Sequence, residues 1–96
     1  MKGRVMTLPL ADSTIQAVQA TVIASIGKHG YHTPLNKHMH PGIKLMILVE
    51  EVGEVAKELL EHPPTTNSNS DALVKELLQV AGVALSWAQC ADEGGL

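Results

Sequence analysis

One segment limits what this chain can fold into. From Pro41 to the Pro63-Pro64 pair it reads PGIKLMILVEEVGEVAKELLEHPP, with five consecutive apolar residues, Leu45, Met46, Ile47, Leu48 and Val49, near its start. Proline is tolerated in a first helical turn, where its missing N–H would be unpaired anyway, and a proline pair is a natural stop. The segment therefore predicts a helix from about Pro41 to Glu61. A helix that is apolar nearly all round must be covered on more than one side.

Two further helices are predicted. Ser13-Thr14-Ile15-Gln16 has the form of a capping box, with Ser13 accepting from a backbone N–H and Gln16 reaching back. Ile15, Val18, Val22, Ile23 and Ile26 follow at helical spacing, and Gly30, after Lys28 and His29, is a carboxy-terminal stop. The polar loop PPTTNSNSD, Pro63 to Asp71, offers several amino-terminal caps for a third helix. That helix carries Leu73, Leu77, Val80, Ala81, Ala84, Trp87, Ala88 and Ala91 along one side and stops before Gly94-Gly95. With one Trp, one Tyr and no Phe, the core has to be aliphatic, which suits packed helices better than a sheet.

At 96 residues the chain is expected to be a single all-α domain over residues 12–93, with an arm at 1–11 and a tail at 94–96. Two partner helices cannot cover the Leu45–Val49 segment on all sides. The economical architecture is three helices in a four-helix-type bundle completed by another copy of the chain.

Several function classes start low. A net charge of -3 gives no electrostatic reason to bind nucleic acid or an acidic membrane surface. The single Cys90 rules out an internal disulfide framework, and MKGRVMTLPLADS lacks the apolar core of a secretory signal. No apolar run approaches the roughly 20 residues that cross a bilayer. The expectation is a cytoplasmic protein without a membrane partner.

The acids then need an explanation. Glu50, Glu54 and Glu58 form one helical row, with Glu51 beside Glu54 and Glu61 beside Glu58. Each such like-charge pair costs a few tenths of a kcal/mol on an isolated helix. Glu76 and Gln79 of the third helix have the same i, i+3 relation as Glu51 and Glu54. Two helices of a hairpin, each presenting such a pair of oxygen donors, can face one another around a hard cation such as Mg²⁺, with waters and substrate phosphates completing its shell. A solvated acidic face is the plainer account. Against it, Glu50, Glu51 and Glu54 lie among Val49, Val52 and Val55, and Glu76 is followed by Leu77 and Leu78.

VEEVGEVAKEL and KELLQVAGVALSWAQ resemble the two signature helices of the MazG-like nucleoside triphosphate pyrophosphohydrolases, all-α enzymes marked by EExxE and a later ExxD. Glu50, Glu51 and Glu54 match the first motif and Glu76 the Glu of the second, while Gln79 stands where the pattern has Asp. GKHGYHTP ahead of the second helix is also similar to the family's approach to its motif. The likeness runs from about Gln16 to Ala91.

The resemblance implies hydrolysis of a nucleoside triphosphate between its α and β phosphates, giving a monophosphate and pyrophosphate. It implies Mg²⁺, or Mn²⁺ in its place, on Glu51, Glu54 and Glu76, with Gln79 as a weaker fourth contact and Glu50 as the general base for water or a group supporting the ligands. It also implies a dimer or a dimer of dimers. Gln79 removes one negative charge from that set, so a non-catalytic oligomer that binds nucleotide or a protein partner is the second expectation.

Other polar residues are weaker candidates for holding substrate. Lys44, seven residues before Glu51 and so on roughly its face, and Lys57 are within reach of phosphate oxygens if they are not ordinary surface lysines. Trp87 has a face on which a base can stack, although its Ala, Leu and Val neighbours suit a core position. His29, His32, His38 and His40 crowd one linker, His29 being a candidate for phosphate or base contact. Their spacing lacks the convergence that zinc requires.

Overall fold

The computed structural model describes residues 9–63 and 70–96, which contain three helices and no strand: α1 (Asp12–His29), α2 (Pro41–Glu61) and α3 (Asp71–Asp92). The expected arm lies almost wholly outside the described residues, as do residues 64–69 of the loop before α3.

The start of α1 departs from the expected capping box. Ala11 is the N-cap, in extended conformation and without a side-chain cap bond, so Ser13 already lies in the first turn. Asp12 ahead of it puts a negative charge against the amino-terminal end of the helix dipole. Gly30 ends the helix with φ 60, and its N–H donates to the Ile26 carbonyl at 2.8 Å. A residue with a Cβ adopts that φ at a cost.

Helix α2 has the expected bounds, and its cap is an imidazole. Nδ1 of His40 accepts from the Gly42 N–H at 2.9 Å, one residue ahead of Pro41. The helix closes at His62, whose N–H donates to the Glu58 carbonyl. For α3, Ser70 takes the N-cap position without a side-chain cap bond.

Helix α3 lies in the middle. It packs against both α1 and α2, whereas α1 and α2 do not pack on each other among the described residues. Lys44 near the start of α2 meets Cys90 near the end of α3, and Glu51, further along α2, lies in the field of Glu76, nearer the start of α3. Those two helices therefore run antiparallel. On the other side α3 approaches α1 at Gly82, where an added Cβ would stand 3.3 Å from Val22 Cγ2.

The linker from Gly30 to His40 is not a free loop. Thr33, Pro34 and Met39 are buried, and Asn36 braces the turn by donating to the Tyr31 carbonyl and accepting from the His38 N–H. The segment after α3 folds back over this linker. Gly95 N–H donates to the Cys90 carbonyl, Leu96 N–H to the Lys37 carbonyl, and Trp87 Nε1–H to the Leu96 carbonyl.

The all-α class is as expected, and so is the exposure problem it raises. Val18, Met39 and Cys90 are the large apolar side chains buried among the described residues. On α2, Ile47 and Leu48 are half-buried, while Leu45, Met46, Val49 and Val52 are exposed, Met46 to 68%. Ile15 and Ile23 of α1 and Leu85 of α3 are likewise open to solvent. None of the described helices is long and apolar enough to cross a membrane.

Candidate functional site

One row of α2 turns inward: Lys44, Ile47, Leu48, Glu51, Val55 and Glu58 are its buried or half-buried positions, at spacings of three and four. Glu51 is thus drawn into the α2–α3 seam by the apolar side chains on either side of it in the row. Glu76 reaches the seam in the same half-buried state from α3, while Glu50 and Glu54 stay at the exposed edge.

The electrostatic result is concentrated on Glu51. Burial, then the nearby charges of Glu76, Glu54 and Glu50, push its carboxyl above the ordinary value of 4.5, while among the described residues His29 acts the other way. Four carboxylates and the imidazole at the end of α1 thereby share one electrostatic neighbourhood. They do not form a closed cage: no three His, Cys, Asp or Glu among the described residues converge as ligands of one metal ion. The chemistry of the donors suits a hard cation all the same. Mg²⁺ is commonly held by about one or two carboxylates, with waters and phosphate oxygens filling its octahedron.

Gln79 is turned towards α1. Together with Gly82 and Ser86 it follows the row of α3 that faces α1, where it lines a cavity of about 20 Å³ with Thr21, Val22, Ser25 and Thr33. That is room for about one water molecule.

The weaker candidates separate in the same way. Lys57 is exposed on α2, and His29 is exposed at the end of α1, within the field of Glu51. Lys44, expected within reach of phosphate, is wholly buried, and its Nζ donates to Cys90 Sγ at 3.2 Å. It does share the Glu51 face, but that face turns into the protein. Trp87 is half-buried, and its N–H is engaged by the Leu96 carbonyl at 3.0 Å. Of the linker histidines, His40 is committed to capping α2.

Sequence reasoning passed over the buried contact between Lys44 and Cys90. A lysine and a cysteine 46 residues apart give no local signal of pairing.

Compared with family models, with curated proteins and with solved structures, the chain matches none.

Proposed function

We propose that the protein hydrolyses nucleoside triphosphates, NTP or dNTP, to the monophosphate and pyrophosphate with Mg²⁺ as cofactor, as a homodimer or homotetramer working on the cytoplasmic nucleotide pool. The observation that carries this reading is the Glu51 carboxyl, raised first by its burial and then by three neighbouring acids, because a bound cation offsets both the buried charge and the repulsion. Glu51, Glu54 and Glu76 are the proposed metal holders; Gln79, in the cavity facing α1, is not among them. Mg²⁺, where Mn²⁺ can substitute, supplies charge neutralisation at the phosphate oxygens. Glu50, exposed beside Glu51, takes the proton of the water that attacks the α-phosphorus, and pyrophosphate leaves in line. Lys57, exposed on α2, and His29, whose charge reaches Glu51, are the proposed phosphate contacts.

Measuring pyrophosphate release from a panel of NTPs and dNTPs with Mg²⁺ or Mn²⁺ tests the activity. Release from at least one substrate, abolished by chelation, is the expected result. No release from any, with melting behaviour indifferent to divalent ions, would leave only a solvated acidic face.

The raised Glu51 carboxyl fixes the sign of a pH effect. The folded protein holds this proton more tightly than the unfolded chain, so the stability it contributes is complete below about pH 4.5 and is lost as pH rises through the raised folded value. Without metal, the melting temperature of wild type relative to Glu51→Gln should therefore fall as pH rises above about 4.5 and through the raised folded value. Millimolar Mg²⁺ should restore the wild type at the upper end, and equal ionic strength from NaCl should do less. A wild type that gains on Glu51→Gln as pH rises, without metal, would contradict the arrangement.

The alternative, a non-catalytic oligomer of the same fold, is favoured by the placement of Gln79. A carboxylate at 79 would enter the α1-facing cavity one turn from Glu76, so Gln79→Asp should lower metal-free stability and leave Mg²⁺ affinity unchanged. Titrating Mg²⁺ against melting temperature for both proteins checks this. Tighter Mg²⁺ binding by the variant would return residue 79 to the ligand set.

A further inference from the structure

An amine and a thiol are closed up together beneath the last residues described. Lys44 is 0% exposed and Cys90 is buried; among the described residues the thiol is the hydrogen-bond partner of the amine, at 3.2 Å. Gly95 seals the pair. A Cβ at residue 95 would stand 2.7 Å from Cys90 Sγ and 3.0 Å from the Cys90 carbonyl oxygen, so only glycine fits there without movement. The strap that carries Gly95 is held by four hydrogen bonds, one of them 3.4 Å long, and by the left-handed turn at Gly94, with φ 88.

A buried lysine is usually paired with a carboxylate, and a buried cysteine usually stands among apolar groups. Here each is set against the other, and neither is used by the proposed hydrolysis. We propose that Lys44 and Cys90 are a redox modification site: a peroxide that reaches the pair converts it to a reversible N–S cross-link, a sulfenamide.

The chemistry balances in two steps. The Cys90 sulfur attacks a peroxide oxygen; an S–O bond forms, the O–O bond breaks, and the displaced hydroxide leaves as water with the thiol proton. Sulfur is oxidised by two electrons and the peroxide is reduced, leaving a sulfenic acid. The Lys44 nitrogen lone pair then attacks sulfur. An N–S bond forms, the S–O bond breaks, and hydroxide departs as a second water with one proton of the amine. The protein has lost two hydrogens. A dithiol such as dithiothreitol reverses the reaction by attacking sulfur and returning the amine and the thiol.

Geometry favours condensation over further oxidation. Sulfenic acids condense with nearby nitrogen nucleophiles, and this nitrogen is already at hydrogen-bonding distance. A Cβ at residue 95 would already stand 2.7 Å from Sγ, so adding the further oxygens of a sulfinic acid requires the strap to stay lifted. The link joins the start of α2 to the end of α3 and closes a loop spanning 46 residues, so the cross-linked form should melt at a higher temperature.

The test treats the purified full chain with hydrogen peroxide and reads intact mass under denaturing, non-reducing conditions. The expected product is lighter by two hydrogens and returns to the starting mass with dithiothreitol. Its peptide map joins the Lys44 and Cys90 peptides, with tryptic cleavage after Lys44 lost. Lys44→Met, which keeps the length and apolar stem of the side chain, should gain oxygen atoms at Cys90 instead. If that variant does not fold, the peptide map of the wild type still decides. Oxygen addition to wild-type Cys90 at the rate of Lys44→Met, a link from Cys90 to a different lysine, or a disulfide between two chains would each overturn the proposal. So would a bridge that retains an oxygen between nitrogen and sulfur.

Discussion

Glu51→Gln, Glu54→Gln and Glu76→Gln should each lower pyrophosphate release at least about 100-fold, the scale on which losing one preorganised charge-stabilising group acts. Each substitution keeps the side chain's size and removes a charge. Glu51 and Glu76 stand half-buried in the α2–α3 seam and Glu54 at its edge, so a neutral amide leaves packing intact while weakening any grip on a cation. Metal-free stability should move the other way, because Glu54→Gln and Glu76→Gln relieve the Glu51 carboxyl and Glu51→Gln removes its half-buried charge. Activity down with stability up is a signature that a merely misfolded variant does not produce. Glu61→Gln is the control, exposed at the far end of α2; Glu58 is less suitable, since its Oε2 lies 3.3 Å from His62 Nδ1. Wild-type turnover in all three variants, measured beside an unchanged helical spectrum, would reject this assignment of the site.

The second large effect concerns assembly. Leu45, Met46, Val49 and Val52 stand exposed on the side of α2 away from its inward row, and burying one such side chain is worth about 1.5–3 kcal/mol. Together with Ile15, Ile23 and Leu85 they leave aliphatic side chains open to solvent on all three helices, the kind of surface that contiguous patches at interfaces present. A stable interface takes about 800 Å² from each partner. The wild type is therefore expected to sediment as a dimer or larger at micromolar concentration. The double variant Met46→Glu, Val49→Glu places two charges in the contact and should weaken association at least about 100-fold. Ile47 and Leu48 are poor choices for this experiment: they are half-buried on the inward row, and charging them would break the α2–α3 packing instead. Sedimentation velocity across a concentration series reads the result. A wild-type monomer, or a variant that associates as tightly as the wild type, would remove this face as the contact.

The comparison of sequence with structure follows the range of the physics involved. Pro41, Glu61 and Gly30 were legible as helix bounds because proline's missing donor and glycine's freedom at positive φ act within one turn. The capping box at Ser13 was not, because Ala11 and Asp12 began the helix sooner than side-chain capping chemistry would choose. Spacing placed Lys44 and Glu51 on one face of α2, which is how they lie. It carried no information on which way that face turns, since this depends on what α3 presents from the other end of the chain. Gln79 shows the same limit. It is one turn from Glu76, yet the close approach at Gly82 rotates its row towards α1.

The central position of α3 has a consequence for cooperativity. With no packing between α1 and α2 among the described residues, coupling between those two helices runs through α3, through the packed linker that joins them, or through charge acting across space. The acids of the candidate site all stand on α2 and α3, not on α1. His29 at the end of α1 is, among the described residues, the neighbour that eases Glu51. The helix that contributes no acid of the candidate site is thus linked thermodynamically to its charge state: neutralising the carboxylates weakens the hold on the end of α1, and leaving them ionised draws it in.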